Sequence, residues 1–253
     1  MLFLISSAKK LAFHKPGDVS GASQPRHLRE ARILVGRLRA MDLRELADLM
    51  AMSEALAALT AGRYQAWGPP FTPENARPAA LAYNGDAYAG LDAWSMGPED
   101  LAFAQAHLRI LSALYGLLRP LDLIQPYRLE MGARLATTKG DNLCAYWEKP
   151  LTRTLGQDLA QDGGPLLNLA SGEFFQALDA SRLPGRIITP VFEDLQRGAH
   201  RVVSFHAKRA RGLMCRFAIL GRLTDPEGLK AFEEGGYAFN AAASSADRWV
   251  FRR

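Results

Sequence analysis

The sequence is short of the residues that would build a metal centre or a disulfide framework. Two cysteines, Cys144 and Cys215, stand in 253 residues, too few for a stapled fold, which fits a reducing cytoplasm. The five histidines (His14, His27, His107, His200, His206) show no ligand spacing with them, so no metal site is expected. Ferritin-like Glu-x-x-His pairs, a haem motif and a redox partner for either cysteine are all missing. No apolar run approaches the roughly 20 residues that span a bilayer, which excludes a membrane helix. The opening MLFLISSAKK has no basic stretch ahead of its apolar run, so it reads as a buried first strand and not as a signal peptide. Internal repeats, low-complexity segments and a convincing linker are also lacking, which indicates one domain over residues 1–253. The sequence assigns neither a cofactor nor an oligomeric state.

The most local absence is of negative charge. Between Asp194 and Asp225 there is no acidic residue, while Arg197, Arg201, Lys208, Arg209, Arg211, Arg216 and Arg222 all lie in that interval. With a net charge of +5 this favours an anionic partner. On a helix over Ala207 to Leu220, Lys208, Arg209, Arg211 and Arg216 fall on one side, and Ala210, Leu213, Met214 and Phe217 on the other. Gly212 sits within the cationic side, where a missing side chain admits a backbone or a ligand. Phosphate suits arginine geometry; the competing reading is a solvated basic face.

What the chain has in quantity is apolar patterning. Leu108, Leu111, Leu114 and Leu118 recur at helical spacing and predict a buried helix that Pro120 ends. Beyond it, Arg119, Asp122, Gln125, Tyr127, Arg128 and Glu130 form a dense polar set braced by Pro120 and Pro126, the kind of loop by which a scaffold presents a site. Residues 14–26 read as a loop, residues 27–41 as a basic amphipathic helix, and residues 81–88 as a strand and turn. A helix is expected over 143–159, strands over 166–170, 187–192 and 201–205, and an edge strand over 249–251. Mixed elements with an antiparallel pair indicate an α+β fold: a mixed β-sheet flanked by helices.

Within 42–62, Asp42 and Ser53 can each cap a helix, with Ala51-Met52-Ser53 between them and Ala57 beyond. This fits an embedded helix-hairpin-helix element, whose backbone amides at Ala51 and Ser53 would meet a phosphate, or an ordinary helical hairpin. Asn168 and Ser171, at the end of a buried strand, with Glu173 next along the chain, suit a ligand-facing sheet edge. Gly85-Asp86, between Tyr83 and Tyr88, offers a carboxylate that is an acid–base group or a turn residue.

These segments resemble, in order and over nearly the full length, the peroxide stress protein YaaA family. The resemblance rests on Ile5-Ser6-Ser7-Ala8-Lys9, Phe71 to Arg77, Gly85-Asp86 with Tyr88, Gly90 and Leu91, and Leu114-Tyr115-Gly116 through Arg119-Pro120-Leu121-Asp122 to Gln125 and the run to Gly132. It continues in Asn168-Leu169-Ala170-Ser171, and in Ser204-Phe205 with Ala207-Lys208, Ala210-Arg211-Gly212, Met214 and Arg216-Phe217. Ser7 replaces a usual proline, Asn84 a common lysine, and Gly172 precedes Glu173 where an acidic residue is common. The resemblance implies a cytoplasmic role in limiting peroxide damage by lowering available iron. It also implies binding of double-stranded, bent or branched DNA through a helix-hairpin-helix element and a positively charged cleft.

Three functions are therefore expected to compete, the third of them, an iron-sequestering protein, without an evident ligand cluster in the sequence. A DNA-binding stress protein would use Lys208, Arg209, Arg211 and Arg216 on phosphates, Arg119 and Arg128 deeper in the cleft, and the amides at Ala51 and Ser53. An enzyme acting on a nucleotide or nucleic acid would use Lys9 as nucleophile or base, with Asp86, Glu130 or Glu173 as acid–base group. In either case Ser6, Tyr88, Tyr127, Asn168, Ser171 and Gly212 are expected to line the pocket.

Overall fold

A computed structural model describes residues 1–13 and 20–253. Its centre is an eight-stranded mixed sheet. Strand β1 (Leu2–Ser6) is apolar and buried on both faces, as a strand enclosed by other elements must be. Strands β2 (Leu108–Ser112) and β3 (Gly116–Leu118) form an antiparallel hairpin. Strand β4 (Leu166–Asn168) is followed by β5 (Ile187–Gln196), β6 (Ala199–Arg201), β7 (Ala238–Phe239) and β8 (Arg248–Arg252). The order across the sheet is β7-β8-β5-β4-β1-β2-β3, with β6 folded back on β5. Neighbours β8, β5, β4, β1 and β2 are parallel. The chain therefore leaves β1 to one side for β2 and later returns to its other side for β4. Such a reversal opens a crevice beyond the carboxyl ends of the strands, here between β1 and β4.

The longer helices around this sheet are α1 (Leu28–Arg39), α2 (Leu43–Met50), α3 (Glu54–Ala66), α4 (Asp86–Leu91), α5 (Pro98–His107), α6 (Leu143–Asp162) and α7 (Ser204–Leu220). Asp42 caps α2 in a full capping box with Glu45, and Asn142 caps α6 through the Ala145 amide. Helix α7 packs on β5 and β1, and α4 packs on α7.

The fold class is the one expected, but the helix expected from His107 to Leu118 is the β2–β3 hairpin. Every residue from Leu108 to Leu118 is buried, including those between the leucines. A run buried on all sides carries no periodicity that separates helix from strand. Gly116 makes the turn with φ 70°, packed so closely that a Cβ there would lie 2.6 Å from the Trp147 ring. Three smaller boundaries also differ. The strand expected over 201–205 stops at Arg201, and Ser204 already opens α7. Between Leu81 and Tyr88 only Tyr83–Asn84 is extended, paired with Lys10–Leu11. Strand β8 is no edge, because β7 covers it. The loop expected from residue 14 lies outside the described residues as far as 19.

Arg109 interrupts the apolar face of β2 and is 8% exposed. Asp158 of α6 takes it at 2.5 Å and takes both Arg26 guanidinium nitrogens at 2.8 Å. Burial opposes the charge on Asp158, but the two arginine partners outweigh it and hold the carboxyl below its ordinary pKa. A depressed carboxylate contributes stability above its unfolded pKa and loses it as pH falls through the folded value. Asp158→Asn, which strands two guanidinium groups, is therefore expected to lower the unfolding free energy by about 3 kcal/mol at pH 7. Urea unfolding at pH 7 and pH 3 should show the gap between variant and parent narrowing in acid; an unchanged gap would separate this cluster from acid stability.

Candidate functional site

The crevice beyond β1 and β4 is a cleft of about 420 Å³. Its walls come from the segment after β1 (Ser6 to Lys10), from Asn84 to Tyr88 at the start of α4, from Leu129-Glu130, from Ser171, Glu173 and Phe174 beyond β4, and from Lys208 and Arg211 of α7. Parallel register alone brings the first and fourth of these together. The Ser171 amide donates to Ser6 Oγ at 2.9 Å, and the two serine hydroxyls lie 3.3 Å apart. Tyr88 donates its hydroxyl to the Ser6 carbonyl at 3.1 Å. The rim of the cleft is thus stitched across the switch point.

Beneath it lies a floor of buried hydroxyls. Tyr127 Oη is 2.8 Å from both Tyr83 Oη and Ser112 Oγ. Ser112 Oγ accepts the Tyr115 amide at 3.1 Å, and Tyr115 Oη accepts from Trp67 Nε1 at 2.9 Å and from the Gln125 amide at 3.0 Å. Burial raises the pKa of Tyr83, Tyr88 and Tyr127, so these phenols stay neutral. Tyr127, expected in the pocket, belongs to this floor and does not line the cleft.

The charged groups divide by partner. Lys9 Nζ lies 2.5 Å from Glu130 Oε2, and Arg128 donates to Glu130 Oε1 at 3.1 Å. Glu173 Oε1 accepts the Gly132 amide at 3.1 Å. Asp86 stands at the first turn of α4 with no side-chain partner among the described residues. Arg211 is half-buried, and burial lowers its pKa with no nearby carboxylate to offset the effect. Among the described residues it has no hydrogen bond or ion pair. Lys208, exposed and also unpaired, lies one turn away on the same wall.

Helix α7 does not present the single cationic side that its sequence suggests. Gly212 meets a backbone: a Cβ there would lie 1.8 Å from the Ala87 carbonyl oxygen, and a Cβ on Gly90 would lie 2.3 Å from that of Arg209. The two helices cross main chain against main chain, so Gly212 is a crossing point and not a pocket residue. Cys215 and Ile219, on the same side as Gly212, are fully buried. Arg216 donates to the Leu91 and Asp92 carbonyls, at 3.3 and 3.0 Å, and so closes the end of α4. Arg209 points to solvent outside the cleft lining.

Other expected residues also lie elsewhere. Arg119 holds the fully buried Asp122 at 2.9 Å and shares it with Ser23, which makes it a loop brace. Arg128 stands behind Glu130, outside the lining, with its buried Nε unpaired. Asn168 is buried and accepts the Ala170 amide at 3.1 Å. In the 42–62 region, Ala51 takes φ 47°, its amide donates to α2 carbonyls, and the Met52 amide donates to the Ala47 carbonyl at 2.9 Å. Ser53 Oγ accepts the Leu56 amide. The two helices and both caps are present, but the turn amides of Ala51 and Met52 are already bonded, and no residue of the hairpin lines the cleft. Lys10, from the same strand end as Ser6 and Lys9, also lines it, as does Phe174, whose only signal in the sequence is its place beside Glu173.

Matched against known proteins, residues 1–243 fit the family described as peroxide stress protein YaaA. The chain belongs to that family. A UPF0246 protein of Aromatoleum aromaticum is 53% identical over 258 residues, covering 100% of this chain and 99% of that protein. Another from Bordetella petrii is 51% identical over 254 residues, with 100% and 99% covered. Membership supports a peroxide-stress role for the chain. No helix among the described residues is long and apolar enough to cross a membrane.

Gly212→Ala is expected to push α4 off α7 and lower the unfolding free energy by about 2 kcal/mol or more. Gly36, mid-helix in α1 with open space around it, is the contrast: Gly36→Ala should stabilise by roughly 0.5–1 kcal/mol. Chemical denaturation of both variants checks the pair, and a neutral Gly212→Ala would refute the tight crossing.

Proposed function

We propose that this protein acts in the peroxide stress response by binding nucleic acid through its phosphates, the cleft taking one phosphate-bearing nucleotide. The observation that carries the reading is Arg211: a guanidinium desolvated in the cleft wall with no carboxylate to pair it, beside the equally unpaired Lys208. A half-buried cation without a partner favours an anion, and arginine favours phosphate. A volume near 420 Å³ suits one nucleotide. A duplex stays outside, so double-stranded DNA engages best where it is bent, branched or has an extruded nucleotide. Among the described residues no three His, Cys, Asp or Glu side chains converge on a metal position, so iron holding has no comparable support.

A second reading, that the cleft is catalytic, has one observation behind it. Lys9 and Glu130 stand 2.5 Å apart in the same cleft as Asp86 and Glu173. A substrate that displaces Glu130 from Lys9 would leave the lysine as nucleophile or base, with Asp86, Glu130 or Glu173 as acid–base group.

Arg211→Ala should weaken binding to labelled DNA at least about tenfold at physiological salt and lower the log–log salt slope by about one. Anisotropy titrations across salt measure both; parental binding at every salt would place the phosphate site elsewhere. Lys9→Ala separates the two readings. If Lys9 is catalytic, the variant should keep nearly full DNA affinity yet lose peroxide protection in cells. A matching loss of affinity makes Lys9 a phosphate contact.

A further inference from the structure

The hairpin joining β5 to β6 turns on two residues, Arg197 and Gly198, between the paired Gln196 and Ala199. Both are left-handed, with φ 50° and 81°. This is the geometry of a type I′ turn, whose first position favours Asn, Asp or Gly. An arginine there is held in a conformation that residues with a Cβ rarely adopt. Its side chain is exposed and, among the described residues, has no partner. Among the described residues the strain yields no side-chain contact.

The adjoining surface has the same character. Arg201, Lys208 and Arg209 are exposed and unpaired among the described residues. Val202 is 53% exposed and Phe205 is 59% exposed. One side of the Phe205 ring lies against His206, with centroids 4.0 Å apart, and the rest faces solvent. Helical spacing sets Phe205 one turn before Lys208 and Arg209, so this surface runs into the cleft wall at Lys208. The carboxylates nearest in sequence are taken: Glu193 by Arg248 and Arg252, Asp194 by Arg253 and Tyr237, and Asp225 by the Glu227 amide. The patch therefore joins an aromatic plane to unneutralised cations.

We infer that this hairpin and the first turn of α7 form a second contact surface for nucleic acid, outside the cleft, on which Arg197 and Arg201 hold phosphates and Phe205 stacks on an unpaired base. Stacking on an aromatic flanked by cations is how unpaired nucleic acid is held without sequence readout. The inference rests on the nucleic-acid reading of the protein, but it concerns different residues.

The test uses the full chain and two fluorescein-labelled probes, a blunt duplex and the same duplex with a single-stranded tail. Phe205→Ala should weaken binding to the tailed probe about tenfold at an unchanged salt slope, and leave the blunt duplex nearly unaffected. Arg197→Asn places a turn-favoured residue, so it should unfold at equal or higher urea. It should still bind both probes more weakly, with the slope reduced by about one. Phe205→Trp should bind like the parent, its added fluorescence quenched by the tailed probe. If both Phe205→Ala and Arg197→Asn bind like the parent while Arg211→Ala does not, the hairpin surface is refuted and the cleft reading stands. If the parent binds neither probe, both readings fall. If Phe205→Ala instead abolishes a concentration-dependent dimer in sedimentation and leaves DNA binding intact, the patch is a self-association face and the inference is overturned.

Discussion

The candidate site depends on one contact: the crossing of α4 over α7 at Gly90 and Gly212. With no Cβ on either side, the backbone carbonyls of Ala87 and Arg209 sit where side chains would otherwise be. That close approach sets Asp86 and Tyr88 in the same cleft as Arg211 and Lys208. It also makes α7 a buried helix whose exposed strip is narrow. Arg216, by closing the end of α4, reinforces the same contact from the other end. Any side chain at the crossing would widen the cleft before it altered a single charged residue.

Seven basic residues stand between Asp194 and Asp225, and their roles are set by what lies opposite. Arg216 finds carbonyls, Arg222 finds Asp100 at 2.7 Å, and Arg211 finds no partner among the described residues. Composition cannot distinguish these cases, because a guanidinium that braces a helix end and one that awaits a phosphate are the same group. The same holds at Arg119 and Arg128, whose partners Asp122 and Glu130 lie only a few residues away in sequence. Local pairing removed Arg119 from the site.

The sequence was most legible where physics is local. Asp42 and Ser53 are side-chain caps that need only their own next turn, and β1 is identified by its unbroken apolar run. It was least legible in Leu108 to Leu118, where leucines at helical spacing belong to a hairpin wrapped in core on every side. Of the candidate site, Lys9, Asp86, Glu130, Ser171, Glu173 and Arg211 could be named in advance and do share one cleft. That Lys9 pairs with Glu130 could not be, since 121 positions separate them and only the sheet brings them together.

The buried hydroxyls under the cleft have a consequence for recognition. Tyr83, Ser112, Tyr115 and Tyr127 each restrain another, directly or through one shared atom, and each is held by core packing on its remaining sides. Such a floor does not yield to a ligand. A ligand that reached down to it would meet hydroxyls already ordered, so this part of the site would add little to the entropic penalty of association. The same stiffness makes the site a gauge of size. A guest slightly too deep would have to break several coupled hydrogen bonds at once, so it is turned away and the wall is not reshaped to fit it.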